Sequence, residues 1–166
     1  MEFWAQQTLN GLVLGSVYGL YALGFGLVLA NLKIFHVAHA GVFTWGAVLA
    51  WYLTARVGLP LWVALPMAAV LAGFINVLAY FILVRHLLKR RNTQLAAFIS
   101  SLGGLMVLDE LASKAMGGMV ERIPRDAYPV QTLQFGSLQF NTLDVTIVVL
   151  TAALMVLLAW LVHRTQ

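Results

Sequence analysis

From Leu9 to Leu32 the chain runs without a single charged side chain: LNGLVLGSVYGLYALGFGLVLANL. A helix needs about 20 mostly apolar residues to cross the roughly 30 Å hydrocarbon core of a bilayer, and no other feature constrains the fold as strongly as this run. Four further apolar runs follow. One spans Val37 to Ala55 and is short and polar at its start. Another spans Leu61 to Val84 and opens at Pro60, a residue tolerated in a first helical turn. A third covers Gln94 to Met116. The last covers Leu143 to Val162 and carries Asp144 in its first turn, where a negative charge suits the helix dipole. In lipid, backbone groups must be satisfied within the segment, which a helix does. The expected fold is an all-α polytopic membrane protein with about five transmembrane helices.

Composition agrees. The 166 residues are 61% hydrophobic and 10% charged, with mean hydropathy +0.88, whereas soluble domains average about 45–50% apolar and about 25% charged. The net charge is +4. Four of the ten cations, Arg85, Lys89, Arg90 and Arg91, lie together between two apolar runs. That is the pattern of a cytoplasmic loop. Nucleic-acid binding is not indicated, since no basic face is interleaved with stacking aromatics. Without cysteine, disulfides, thiol catalysis and thiolate metal sites are excluded. The start, MEFWAQQ, lacks the basic n-region of a cleavable signal peptide.

Charge bias places the N-terminus outside. Lys33, Arg85, Lys89, Arg90, Arg91 and Arg164 then face the cytoplasm, and Arg56, Lys114, Arg122 and Arg125 face out. The segment Gly117 to Thr142 is the one soluble-looking stretch. Within it Leu133, Phe135, Leu138 and Phe140 alternate with polar residues around Gly136-Ser137, which predicts a small external β-hairpin. Pro124 and Pro129 oppose continuous helix before it. The expected organisation is a single transmembrane domain over 1–166, with the external loop 117–142 inside it.

Several motifs stand out. Gly11, Gly15 and Gly19 recur every four residues, a stripe that allows close helix–helix packing in lipid. Gly24 and Gly26 follow, with Asn31 closing the run, and the helix is expected to loosen there. Asp109 and Glu110 fall roughly 22 Å along the fourth span at about 1.5 Å per residue. A carboxylate in hydrocarbon is costly, so these groups either form a local pair, Glu110 with Lys114 at i,i+4, or line a cavity. Asn10, Asn76, Ser100 and Ser101 are the other polar groups in spans, and such residues usually hydrogen-bond between helices or to backbone. The small residues of Ser100-Ser101-Leu102-Gly103-Gly104 leave room for a ligand or a helix break.

His36 and His39, in KIFHVAHAGVF, share one helical face at i,i+3 spacing. That spacing suits a metal, but no carboxylate lies near in sequence and the HExxH pattern is absent. Acid–base chemistry lacks a nucleophile and an acidic orienter. A half-buried helix start, packed in protein or lining water, is the reading that remains.

Taken together, LNGLVLGSVYGLYALGFGLVLANLKIFHVAHAGVFTWGAVLA resembles the opening of permease subunits of branched-chain amino-acid ABC transporters. The correspondence rests on Leu9-Asn10-Gly11, Gly15-Ser16, Tyr21-Ala22-Leu23-Gly24, Ala38-His39 and Gly46-Ala47. FISSLGGLMVLDEL and ERIPRDAYPVQTLQFGSLQFNTLDV are similar to later blocks of the family, more loosely. His36 stands where many members have Asn, Ala40 where they have Gly, and Gly41 where they often have Glu. The family continues beyond LVHRTQ with a cytoplasmic loop and further spans, so the resemblance is to the N-terminal part of a permease: a fragment, a split subunit or a truncated gene.

The resemblance implies a multi-pass protein of the cell inner membrane that transports rather than catalyses. It implies a second permease subunit completing a central path, an external solute-binding protein, and cytoplasmic ATP-binding subunits that use the ATP. No Walker motif occurs in this chain, and no cofactor of its own is implied. The path candidates are His36, His39, Thr44, Ser100 and Ser101. Rival readings are an accessory or structural membrane subunit and a histidine-based membrane metalloprotein.

Overall fold

Apolar periodicity translates into five α-helices in the computed structural model, which describes residues 2–87, 93–119, 121–124, 127, 132–135 and 138–165. They are α1 (Glu2–Leu32), α2 (His39–Ala55), α3 (Leu61–Ala79), α4 (Thr93–Ala115) and α5 (Thr142–Thr165). At α3's end the chain continues through one π-helical turn, Tyr80–Val84. Two strands, β1 (Thr132–Phe135) and β2 (Leu138–Asn141), pair antiparallel with Thr132 opposite Asn141 and Phe135 opposite Leu138. Gly136 and Ser137 lie outside the described residues, as do Lys89, Arg90, Arg91, Arg125 and Pro129.

Four helical stretches are long and apolar enough to cross a membrane: Phe3–Asn31, Leu61–Val84, Gln94–Ala115 and Thr142–Arg164. The fifth helix, α2, has 17 residues; at about 1.5 Å per residue it reaches roughly 25 Å, short of the roughly 30 Å core. Large apolar side chains remain outside on these helices, with Trp4 74%, Val70 74%, Phe74 70% and Met106 72% exposed. Water would not tolerate so continuous an apolar surface, and lipid does. Helix ends carry matching anchors. Arg56 stacks 5.8 Å from the Trp51 ring, Arg85 5.0 Å from Phe81 and Arg164 5.0 Å from Trp160. Long cations and amphipathic rings at span ends suit the membrane–water boundary.

The chain divides into two compact units, Met1–Leu27 with Pro129–Gln166, and Val28–Tyr128. In the first unit, α5 starts directly after β2. The Asp144 carboxylate accepts the Asn141 backbone N–H at 2.9 Å, the reach-back of a capping box. Of the glycine stripe, Gly19 is met by Met155 of α5, whose Cε would sit 2.7 Å from an added Cβ. Gly11 and Gly15 have open space in the same position. The helix does not loosen at Gly24 or Gly26: α1 is continuous to Leu32. With intrahelical bonds on both sides, the backbone freedom of isolated glycines does not break the ladder.

The second unit is built on α2, which packs chiefly on α3 and then on α4. Its α3 face is made of small residues at four-residue spacing, Ala64, Ala68 and Ala72, all buried. Ala64 and Ala68 join Ala50 and Leu53 of α2 in one core cluster. On α2's other side, an added Cβ at Gly41 would lie 2.8 Å from Leu108 Cβ, so α4 approaches α2 at a distance that requires glycine. The indole N–H of Trp45 fixes the same contact by donating to the Leu108 carbonyl at 3.0 Å. The α2–α3 turn passes through Gly58 at φ +78°, a left-handed conformation that glycine adopts without a Cβ penalty.

Candidate functional site

The break between α1 and α2 shapes the site. Lys33 donates its N–H to the Leu29 carbonyl at 2.8 Å and takes φ 52°, a left-handed conformation that costs a non-glycine residue roughly 1–2 kcal/mol. This reverses the chain into the short segment 34–38. Ile34 then packs with Val84 and Ala97 in a second core cluster. Two tight turns, His39 N–H to His36 carbonyl at 3.2 Å and Ala40 N–H to Val37 carbonyl at 3.0 Å, wind the segment into α2.

Ser101 holds this linker. Its hydroxyl oxygen accepts the Val37 N–H at 3.1 Å, and its proton has two carbonyls in reach, Phe98 at 2.9 Å and Phe35 at 3.2 Å. A hydroxyl has one donor, so it serves one of these at a time. Ser101 is fully buried. Its neighbour Ser100 ties a different element, donating to the Leu83 carbonyl inside the π turn at 3.0 Å. A π turn lengthens the helical bond from i→i+4 to i→i+5, seen here as Arg85 N–H to Tyr80 carbonyl at 3.0 Å, and such turns concentrate at functional positions. The Leu83 side chain occupies the place a Cβ at Gly104 would need. The two serines therefore fasten two irregular segments to α4.

His36 is buried, at 2% exposed. The Asn76 carboxamide of α3 approaches both His36 and His39, but in geometry too poor for a hydrogen bond to either ring nitrogen of His36. Both of those nitrogens and Asn76 Oδ1 are buried with no hydrogen-bonding partner among the described residues. His36, Asn76, Val28, Val77 and Tyr80 line a cavity of about 230 Å³. Ser100 lines a separate, almost wholly apolar cavity of about 460 Å³ with Ile75, Gly103, Gly104 and Leu108. Thr44 joins neither lining. It is exposed on α2, with its hydroxyl 3.4 Å from the Ala40 carbonyl of its own helix.

The structure thus brings His36 and His39 together, puts Ser101 under the linker that carries His36, and separates Ser100 and Thr44 from them. Asn76 is the member of the cluster that the sequence marks as a polar group within a span but not as a path candidate. It lies 40 positions from His36, and no local spacing links them. No group of three or more His, Cys, Asp or Glu side chains converges among the described residues, so the two histidines have no third protein ligand of those types to share a metal. Asp109 and Glu110 are exposed on α4, and Glu110 pairs with Lys114 at 3.3 Å, the local pair expected from their spacing.

With this geometry in place, comparison with protein families gives a match over residues 7–166 to the family described as "Branched-chain amino acid transport system / permease component". The chain belongs to that family. Comparison with curated proteins and with solved structures yields no match. The protein is accordingly a multi-pass membrane permease component of a branched-chain amino acid transport system, and permeases of this family are not catalytic. Membership implies partner transporter subunits. It also gives Gly41, where the resemblance pointed to a departure from a frequent Glu, a physical reason: Leu108 leaves no room there for a Cβ, still less a carboxylate.

Proposed function

We propose that this chain forms part of the solute path of an ABC importer for branched-chain or related amino acids. In this reading a second permease subunit completes the path, an external solute-binding protein delivers the solute, and cytoplasmic ATP-binding subunits drive the cycle. The chain supplies no ATP site and needs no cofactor of its own. It sits in the cell inner membrane as a single permease domain, with its N-terminus outside and α2 as a short fifth span. His36, His39, Thr44, Ser100 and Ser101 are the path candidates, and Gly11, Gly15 and Gly19 the helix-packing stripe.

The observation that carries the reading is a broken, polar-spotted segment, 33–39, set among apolar spans in a chain of permease family. Irregular backbone at membrane depth is tolerated where it is buried in protein or lines a cavity, and discontinuous spans are the usual frame of a solute site. Co-purification tests it. Tagged chain is expected to recover an ATP-binding subunit and a second permease from its native membrane. A stable chain that recovers neither supports an accessory subunit instead. Orientation has its own check: a cysteine in place of Arg90 should resist an impermeant external thiol reagent and one in place of Gly136 should react, and the reverse pattern overturns the N-out arrangement.

A further inference from the structure

The apolar span that begins at Leu61 ends at Val84, and a surface cavity of about 590 Å³ sits at that end. Among the described residues it is lined by Phe81, Ile82, Arg85 and His86. Phe81 and Ile82 are large apolar side chains left exposed inside the span. Arg85 and His86, also exposed, are the first two residues past it. The lining therefore changes from apolar to polar and cationic where a span leaves the hydrocarbon, the level at which acyl chains give way to headgroups.

Arg85 is equipped to hold an anion there. Its guanidinium lies 5.0 Å from the Phe81 ring. A guanidinium has five N–H donors, and one resting over a ring keeps donors for other groups. Its planar fork matches phosphate oxygens two at a time. No carboxylate pairs with Arg85 among the described residues, where the ion pair is Glu110–Lys114. The six acids of the chain are Glu2, Asp109, Glu110, Glu121, Asp126 and Asp144. In the alternating arrangement proposed above, all six fall on the external side. Arg85 falls on the other side, with Lys33, Lys89, Arg90, Arg91 and Arg164. Positive charge at that side has no acid of this chain to balance it, and its complement is an anionic surface.

We propose that this cavity is a site for an anionic phospholipid of the surrounding bilayer. The Arg85 guanidinium donates to the lipid phosphate, His86 stands beside it, and the acyl chains run along Phe81 and Ile82. The apolar half of the lining selects a lipid over a free phosphate. The uncompensated charge selects a lipid of net negative charge over a zwitterionic one. The site goes beyond the transport reading and shares with it only the arrangement of the spans.

The test uses the full chain in nonionic detergent micelles, titrated by native mass spectrometry with three probes. They are phosphatidylglycerol, phosphatidylcholine with the same acyl chains, and glycerophosphoglycerol, the anionic headgroup without chains. Phosphatidylglycerol is expected to bind saturably and roughly tenfold more tightly than phosphatidylcholine, since charge-assisted bonds are the stronger ones. Glycerophosphoglycerol should not saturate over the same range. Arg85→Gln should remove the preference between the two lipids, and Arg85→Lys should keep part of it, as a point charge without the fork. Arg164→Gln is the control. It removes the same charge from another span end, where Arg164 likewise lies 5.0 Å from a ring, that of Trp160, and it should leave the preference intact. The probe series needs no variant, so a variant that fails to fold does not blunt it. Equal binding of the two lipids, or headgroup binding as tight as phosphatidylglycerol, overturns the site. So does an equal loss in Arg164→Gln, which would show diffuse charge alone. Unchanged lipid binding in Arg85→Gln with poorer recovery of an ATP-binding subunit also overturns it and assigns Arg85 to a protein contact. Binding in micelles does not depend on which side α3 ends. A reversed cysteine-labelling pattern with binding as described therefore overturns the N-out arrangement and leaves the site. Failure of the lipid series with ATP-driven uptake intact does the opposite.

Discussion

Two stripes of small residues recur every four positions, one on α1 and one on α3, and they do different things. On α3, Ala64, Ala68 and Ala72 are buried against α2. On α1, Gly11 and Gly15 look into open space and only Gly19 is closely approached, by Met155. Glycine draws the eye in a membrane sequence because it permits the nearest backbone approach. Alanine, common and unremarked, makes the more fully buried face here. Small-residue spacing therefore marks a surface able to pack closely, and burial shows whether a partner within the unit uses it.

The largest effect expected from this contrast is at Ala68. Ala68→Leu inserts three carbons into a core cluster with Ala50, Leu53 and Ala64, and overpacking of this kind costs about 1–3 kcal/mol. The unfolding midpoint in detergent should fall clearly for Ala68→Leu and little for Gly15→Leu. Equal losses would erase the distinction between the stripes.

Gly41→Ala comes next. Its Cβ meets Leu108 Cβ, a carbon fixed to the backbone rather than a flexible end, so the helices must part slightly, for a loss of about 1 kcal/mol. Gly11→Ala, with nothing near it, should be neutral or gain up to about 1 kcal/mol from helix propensity. A stabilised Gly41→Ala variant would show that the α2–α4 approach is looser than the Trp45–Leu108 bond implies.

Ser101→Ala leaves the Val37 N–H without its acceptor, at about 1–3 kcal/mol if no water replaces it. Hydrogen exchange at the Val37 amide should quicken, while amides in the middle of α3 keep their protection. Unchanged exchange would remove Ser101 as the clasp of the linker. The smallest effect belongs to Glu110→Ala. The Glu110–Lys114 pair is exposed, 65% and 73%, and exposed pairs contribute about 0–1 kcal/mol. A larger loss would place the pair in a setting less wet than its exposure suggests.

These contrasts also show what could be read from the chain itself. Apolar runs located all five helices, because burial in lipid needs length and little else. The ends were less legible. Helix α1 begins at Glu2 rather than near Leu9, since Trp4 and the polar residues after it continue the helical ladder without changing its hydropathy enough to mark it. Asp144 declared its cap role through position alone. The π turn at Tyr80–Val84 had no warning, since YFILV contains neither glycine nor proline and the turn is set by Ser100 and by packing from α4. Lys33 was equally silent, because a lysine gives no sign of a left-handed conformation. The pairing of His36 with Asn76 is a tertiary fact, reached only when α3 folds back beside the linker.

The central claim is that this chain carries amino acid as part of an ATP-driven path. Reconstituting it with the ATP-binding and permease subunits that co-purify with it, then measuring labelled leucine uptake into proteoliposomes supplied with the solute-binding protein, tests that claim most directly. The account predicts saturable uptake that requires ATP and is competed by other branched-chain amino acids. Uptake that is the same without ATP, or the same when this chain is omitted, would contradict it.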